Sequence, residues 1–305
     1  MAKNQAASKD ALAGKNKAVN PWMIAWERFI KNKISVAGGV LFILILIAVI
    51  VVPMLSPYQV SEFELNNKEL APSAKHWLGT DEQGRDVLMR LFLGGRISIM
   101  VGLLAAGVSV IIGSIIGGIA GFYGGAIDDW LMRFAEIVYS IPFLPTVITL
   151  SAALMFRVEP SQKMFLVMLL IGALSWPGLA RIVRGQILSL REQEFMQATE
   201  ILGISHASRI MKHLLPNVLA YIIVSATLGM AGAILSEAAL SFLGLGVQPP
   251  TPTWGNMIER AKNTNVFRFM PWLWIPPGVM IMMTVVSINL LGEGLRDAFD
   301  PKEIR

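Results

Sequence analysis

The chain has 305 residues, 54% of them hydrophobic and only 15% charged, with a net charge of +5 and a mean hydropathy of +0.58. Soluble domains carry about 25% charged residues, so the composition is that of a protein crossing a membrane several times, and the modest surplus of cations reads as topology rather than nucleic-acid binding. There is no cysteine, and the three histidines, His76, His206 and His213, all lie in polar stretches; this excludes a disulfide framework, a thiolate site and an intramembrane metalloenzyme built on imidazoles.

Residues 1–34 form a polar, basic tail with Lys3, Lys9, Lys15, Lys17, Arg28, Lys31 and Lys33 against Asp10 and Glu27. Residues 1–20 are expected to be unstructured. Trp22 to Ile30 reads either as a short amphipathic helix on the membrane surface, anchored by Trp22, Trp26 and Phe29, or as an aromatic pair in the headgroup belt. Residues 35–56 carry no charge and are long enough to span. The run is too long for a signal peptide and lacks a small-residue cleavage site. The cations before it place the N-terminus in the cytoplasm.

Residues 57–96 are polar and expected outside. They contain Gly79, Thr80, Asp81, Gly84, Arg85 and Asp86, a turn-rich cluster with ion pairs. Residues 97–122 form a second span, in which Gly113, Gly117 and Gly121 recur every four positions and let another helix approach closely. Gly124-Gly125 and Asp128-Asp129 read as a tight cytoplasmic turn with solvated carboxylates. A third span, 130–156, holds Pro142 and Pro145. Prolines free backbone carbonyls, which suits a helix lining a water-filled pathway. Glu136 lies within reach of Arg133 for a local pair.

After a short outer loop, 157–163, a fourth span covers 164–180 and continues through Leu190. A fifth covers 217–236 and a sixth 272–292, with a polar outer hairpin between them. Glu237, beside hydrocarbon, must face protein or water; it either holds a substrate amine or caps the hairpin. Six spans return both termini to the cytoplasm. Arg181, Arg184, Arg191, Arg209 and Lys212 then fall in the longest inside loop, as the positive-inside rule requires.

The polar stretch 191–217 separates the fourth and fifth spans. Phe195, Ala198 and Leu202 share a helix face, Gly203 follows as a left-handed stop, and a second helical run from Ser205 to Leu215 ends at Pro216. Gln197-Ala198-Thr199, three residues, Gly203, then Leu215-Pro216 resembles the EAA loop of bacterial ABC importer permeases. Gln197 and Thr199 depart from Glu and Ala in that pattern, and His213 stands where an aliphatic residue is expected. The Gly79–Asp86 cluster, the Ser236–Gly246 and Pro249–Gly255 segments and the tail Gly294–Lys302 further resemble the C-type permease subunits of oligopeptide and dipeptide importers.

That resemblance implies an all-α fold of six transmembrane helices, the type I ABC importer permease fold, with both termini cytoplasmic. It implies a permease N-terminal region at 35–96, a transmembrane domain at 97–295 and a tail at 296–305. Gln197, Ala198, Thr199, Leu202, Gly203, Leu215 and Pro216 would couple the chain to its ATPase. The partners implied are a second homologous permease, two cytoplasmic ATPases and an extracellular peptide-binding protein, in the bacterial cell membrane. This chain has no phosphate loop ending in Lys-Ser or Lys-Thr, so ATP and magnesium would be used by the partners, and no cofactor or metal is expected here. Two other classes stay open: an ion-coupled secondary transporter, which needs buried ionisable groups, and an intramembrane hydrolase, which needs a nucleophile and base. Within the resemblance, nickel or glutathione is the alternative cargo.

Overall fold

The computed structural model describes residues 21–58, 65–159 and 162–299. Residues 1–20, expected to be an unstructured tail, lie outside the described residues, as do the Asp300–Lys302 end of the C-terminal motif and part of the 157–163 loop. Among the described residues there is no strand, only an isolated bridge between Thr80 and Asp86. Five helices are long and apolar enough to cross a membrane, and a bent helix pair makes a sixth crossing.

Helix α1 (Pro21–Lys31) leads through Asn32, whose side chain caps the next helix at Ser35, into α2 (Lys33–Leu55). The last crossing, α11 (Ile275–Phe299), lies against both. Phe29 and Ala25 are buried with Ala298, and Trp22 meets Phe299 edge-on at 5.1 Å. The aromatic residues of α1 therefore divide: Trp26 is exposed, whereas Phe29 packs on protein rather than serving as a lipid anchor. The two ends of the described chain lie on one side of the bundle, as six crossings require.

The longest helix, α3 (Val87–Tyr123), has 37 residues and a length of about 55 Å. It starts ten residues before the expected boundary at 97. Asp86 caps it by accepting from Met89 N at 2.8 Å, and Gly94 and Gly95 let the early turns press on Thr253 and Trp254. Along its length it packs on α6 (Lys163–Arg191). The expected glycine face is the contact: a Cβ on Gly113 would sit 3.0 Å from Trp176 O, and one on Gly121 would sit 2.9 Å from Ile187 Cβ. On the facing helix, Gly172 stands against Ala105 and Val108.

The third crossing differs from expectation. It is not one helix but two, α4 (Gly125–Ser140) and α5 (Phe143–Met155), bent by 80° at the break. Pro142 stands at the break and Pro145 in the first turn of α5. Pro142 has no N–H to continue the ladder and disfavours a helical Ile141, whose ψ is 126°. Partners advance along α6: Ala135 is buried with Trp176 and Ala180, and Val147 with Ile171 and Val167. The pair is thus one broken crossing. Asp128 is not a solvated turn residue. It is buried and takes two 2.5 Å hydrogen bonds from Arg184 of α6, while Asp129 is exposed. Among the described residues Glu136 and Arg133 form no ion pair; both are exposed.

The fifth crossing begins earlier than expected and runs past Pro216. A single helical turn, His206–Ser208, widens into a π-helical stretch, Arg209–Leu214, and continues as α8 (Leu215–Phe242). Pro216 can donate no hydrogen bond, and its ring would crowd the carbonyl four residues back; the wider turn accommodates it, with Leu215 N bonding to Ile210 O. The second helical run therefore does not end at Pro216.

The glycine contact yields a paired test. Gly117→Ala places a Cβ within about 3 Å of the Ala180 backbone, whereas at Gly118 the nearest atom is Ile187 Cδ1 at 4.0 Å. Gly117→Ala should destabilise by about 1–3 kcal/mol, and Gly118→Ala should be neutral or slightly stabilising. Thermal unfolding of the purified variants in one detergent checks both; equal midpoints would remove the close contact.

Candidate functional site

At one end of the bundle, the loop end, α7 (Glu194–Ile201) lies across the gap between α6 and the fifth crossing. Its exit follows the expected stop. Gly203 has φ +67°, Gly203 N bonds to Glu200 O, and Ile204 N reaches back to Thr199 O, each at 3.0 Å. This is a Schellman closure, in which the left-handed residue turns the last carbonyls onto the chain that follows.

The two faces of α7 are the reverse of a simple amphipathic reading. The buried residues are Met196 and Thr199, while Phe195, Ala198 and Leu202 point outward with Ile201. Ile201 is 87% exposed and Leu202 75%. Thr199, the departure from Ala, fits because its hydroxyl donates to Met196 O at 2.6 Å. Gln197 is exposed, its amide 3.4 Å from Glu192 O. Leu215 and Pro216 are exposed at the head of α8, and His213 is half-buried.

Cations tie this loop to α3. Arg191 Nη1 donates to Gly121 O at 3.1 Å. Arg209, buried despite its charge, pairs with Glu200 at 3.0 Å and lies over the Phe122 ring, against which His206 also stacks edge-on. From the sequence, Arg191 and Arg209 have only a topological role, and Met196 is not singled out. Their partners are distant in sequence or on the opposite face, and only the basic character of the loop hinted at them.

At the other end, the cap end, the Gly79–Asp86 cluster is a knot of side chain to backbone bonds. Thr80 is fully buried; its hydroxyl accepts from Leu70 N at 2.9 Å and donates to Asn67 O. Asp81 accepts from Gln83 N, Arg85 N and Arg85 Nε at 2.7–3.0 Å. Asp86, beyond capping α3, lies 2.9 Å from His76 Nδ1. Gly79 and Gly84 have φ of +70° and +74°.

Glu237 sits near the cap end of α8 and has no exposure. Its carboxylate accepts from Ser241 Oγ at 2.6 Å and Ser98 Oγ at 3.3 Å. Each hydroxyl in turn accepts a backbone N–H of the following loop, Val247 for Ser241 and Trp254 for Ser98, both at 3.1 Å. One carboxylate thus joins α3, α8 and the loop leading to α9 (Trp254–Ile258), which α10 (Thr264–Phe269) follows. Pro142 lines a cavity of about 530 Å³ at the α4–α5 break, with Ser175 and Pro177 of α6, and Pro145 directly precedes Thr146 of the same wall. The residues expected to couple the chain to an ATPase therefore lie at one end, the Gly79–Asp86 cluster and Glu237 at the other, and the prolines at the α4–α5 break. Among the described residues no group of three acidic or imidazole side chains could hold a metal.

Residues 113–305 match the family model described as the binding-protein-dependent transport system inner membrane component, and residues 20–72 match the N-terminal transmembrane domain of oligopeptide transport permease C. The chain is 42% identical to the oligopeptide transport system permease protein OppC of Haemophilus influenzae, covering 92% of this chain and 89% of that one. It is 40% identical to the dipeptide transport system permease protein DppC of Bacillus subtilis, covering 98% and 91%, and 38% identical to OppC of the same organism, covering 96% and 93%. With a helical, multiply crossing bundle, matching family models and relatives aligned over nearly their full length, the chain belongs to the binding-protein-dependent transport system inner membrane components, as a multi-pass permease rather than a catalyst.

Proposed function

We propose that this chain is the C-type permease subunit of an ATP-driven importer of oligopeptides or dipeptides. The observation that carries the reading is α7: a short helix held by Met196 and Thr199 that leaves Phe195, Ala198, Ile201 and Leu202 without a cover. An exposed apolar patch at a helix end marks an interaction site. Its occupant in this reading is a cytoplasmic ATPase, two of which would serve this chain and a second permease. The relatives bearing peptide names favour peptide over nickel or glutathione as cargo.

In this reading the loop end faces the cytoplasm, with Arg181, Arg184, Arg191, Arg209 and Lys212 on that side. The cap end faces out, toward a peptide-binding protein. ATP closes the ATPase pair and moves α7. Arg191 on Gly121 and Arg209 over Phe122 carry that motion into α3, and Asp128 with Arg184 carries it into the broken crossing. The α4–α5 break, with Pro142 and Pro145, gives backbone carbonyls to the pathway. Glu237, enclosed by its two serines, holds the outer loop rather than a substrate amine.

Three outcomes are expected. A Cβ at Gly203 meets no atom within 4 Å, so Gly203→Val acts through φ alone, at roughly 1–2 kcal/mol or more. Peptide uptake should fall while the amount in the membrane holds, and Gly203→Asn, which tolerates positive φ, should keep most uptake. Wild-type uptake by Gly203→Val would remove the turn from the coupling path.

Glu237→Gln should keep most transport, because the amide oxygen still accepts from Ser241 and the amide nitrogen can donate to Ser98 Oγ, and any loss should be equal for free-amine and N-acetylated peptides. A loss confined to free-amine peptides would make Glu237 a substrate contact.

Because the chain has no cysteine, single replacements report cleanly. Cysteine at Gln83 should react with an impermeant thiol reagent in intact cells, and cysteine at Ser205 only after the membrane is opened. Cysteine at Gln197 should crosslink to a partner ATPase and stop transport, while at inward-facing Thr199 it should do so poorly. Labelling of 197–205 from outside would overturn the orientation and the coupling role together.

A further inference from the structure

The cap end encloses a cavity of about 330 Å³ between the 81–90 segment and the 249–273 loop. Four cations line it, Arg85, Arg90, Arg260 and Lys262, against three carboxylates, Asp81, Glu82 and Glu259. The carboxylates are already engaged. Glu82 pairs with Arg260, and Glu259 with Lys262 at 3.1 Å. Asp81 Oδ2 takes the 2.7 Å bond from Arg85 Nε, leaving Arg90 Nε at 3.4 Å from the same oxygen. The Arg90 side chain is only 7% exposed, and its Nη1 is buried with no hydrogen-bond partner, as is Arg260 Nε.

A buried guanidinium with an orphaned donor is costly unless an anion completes it. Arg90 also lies in the first turn of α3, where the helix end adds partial positive charge. Asp86, which caps that end, is already bound to Met89 N and His76. Among the described residues the cavity is thus lined by one more cation than carboxylate. Its walls include Val87, Met257 and Leu273, which suit an apolar stem and not a hydrated inorganic ion. A doubly charged phosphate would overshoot the balance, and a cation would meet the surplus positive charge. One carboxylate on a short aliphatic stem fits, held by the fork of donors that guanidinium presents.

We propose that this cavity is a socket for an acidic side chain of the extracytoplasmic binding protein, with Arg90 as its principal ligand. The proposal rests on the importer reading. A protein partner is favoured over the transported peptide by position: every wall belongs to the 81–90 and 249–273 segments at the outer end, and none to the broken crossing or α6.

The test uses the complete complex, both permeases and both ATPases in lipid nanodiscs, titrated with its binding protein. The readout is the apparent KM for binding protein in stimulated ATP hydrolysis. R90Q should raise that KM roughly tenfold or more, as loss of a desolvated charge contact does. At the partner, one Glu→Gln or Asp→Gln change should give the same shift, and the double variant should add nothing further. Since R90Q also alters the buried core, Met257→Glu provides the complement. Its carboxylate would fill the socket from within, so the complex should melt higher than wild type and still bind its partner more weakly. An unchanged KM in both variants overturns the proposal. So does an effect seen only as a lost preference for free-acid over C-amidated peptides at unchanged KM, which would assign the socket to the substrate. Absence of any stimulation in the unmutated complex would instead remove the importer reading, and the proposal with it.

Discussion

The contact between α3 and α6 is the one on which the rest of the bundle depends. Hydrocarbon offers no hydrophobic gain for bringing two helices together, so the contact must come from dispersion between closely fitted surfaces. Gly113, Gly117 and Gly121 remove the side chains that would hold the helices apart, and Gly172 does the same from the other side. The glycine row ends where the loop end begins. Gly121 O is the acceptor for Arg191, and Phe122 is the platform for His206 and Arg209. Close packing in the membrane thereby sets the geometry of the loop that meets an ATPase in the proposed assembly.

Buried polar groups follow the same economy. Asp128 with Arg184 and Glu237 with its two serines each join segments far apart in sequence. In a low-dielectric interior such groups are tolerable only when satisfied, so each one specifies which helices meet. Asp128 fixes the start of the broken crossing against α6. Glu237 fixes the cap loop against α3 and α8. The two ends of the bundle are thus pinned by polar bonds, and its middle by shape.

The crossings were legible because a run of twenty apolar residues has little else to do. Gly203 was legible because a left-handed stop has a strong residue preference, and the glycine face of α3 because a four-residue repeat survives into the helix. Other features were hidden for physical reasons. Asp128 and Arg184 are 56 residues apart, and no local pattern joins them. The prolines signalled freed carbonyls, but the angle of the α4–α5 bend depends on what α6 offers beside it. On α7 the shared face of Phe195, Ala198 and Leu202 was legible but its outward direction was not: the surface that covers it belongs to another chain in the proposed assembly, while the inward face needs only Met196 and a self-bonded Thr199. Arg90 was lost among the charges of a stretch read as a surface loop, whereas it begins a helix and is buried.

The first crossing has its principal neighbour in the last. Gly38 of α2 fits against Ser287 and Leu290 of α11, and Gly294 of α11 against Ser35. Some 240 residues separate the two, so at about 5–20 residues per second a ribosome needs roughly 12–50 s to deliver the second after the first has entered the bilayer. Until α11 arrives, the notch of α2 is open to lipid chains, which α11 must displace to form the seam. A bilayer is therefore a transient ligand of this protein during its synthesis, and the α2–α11 seam is the last door to close.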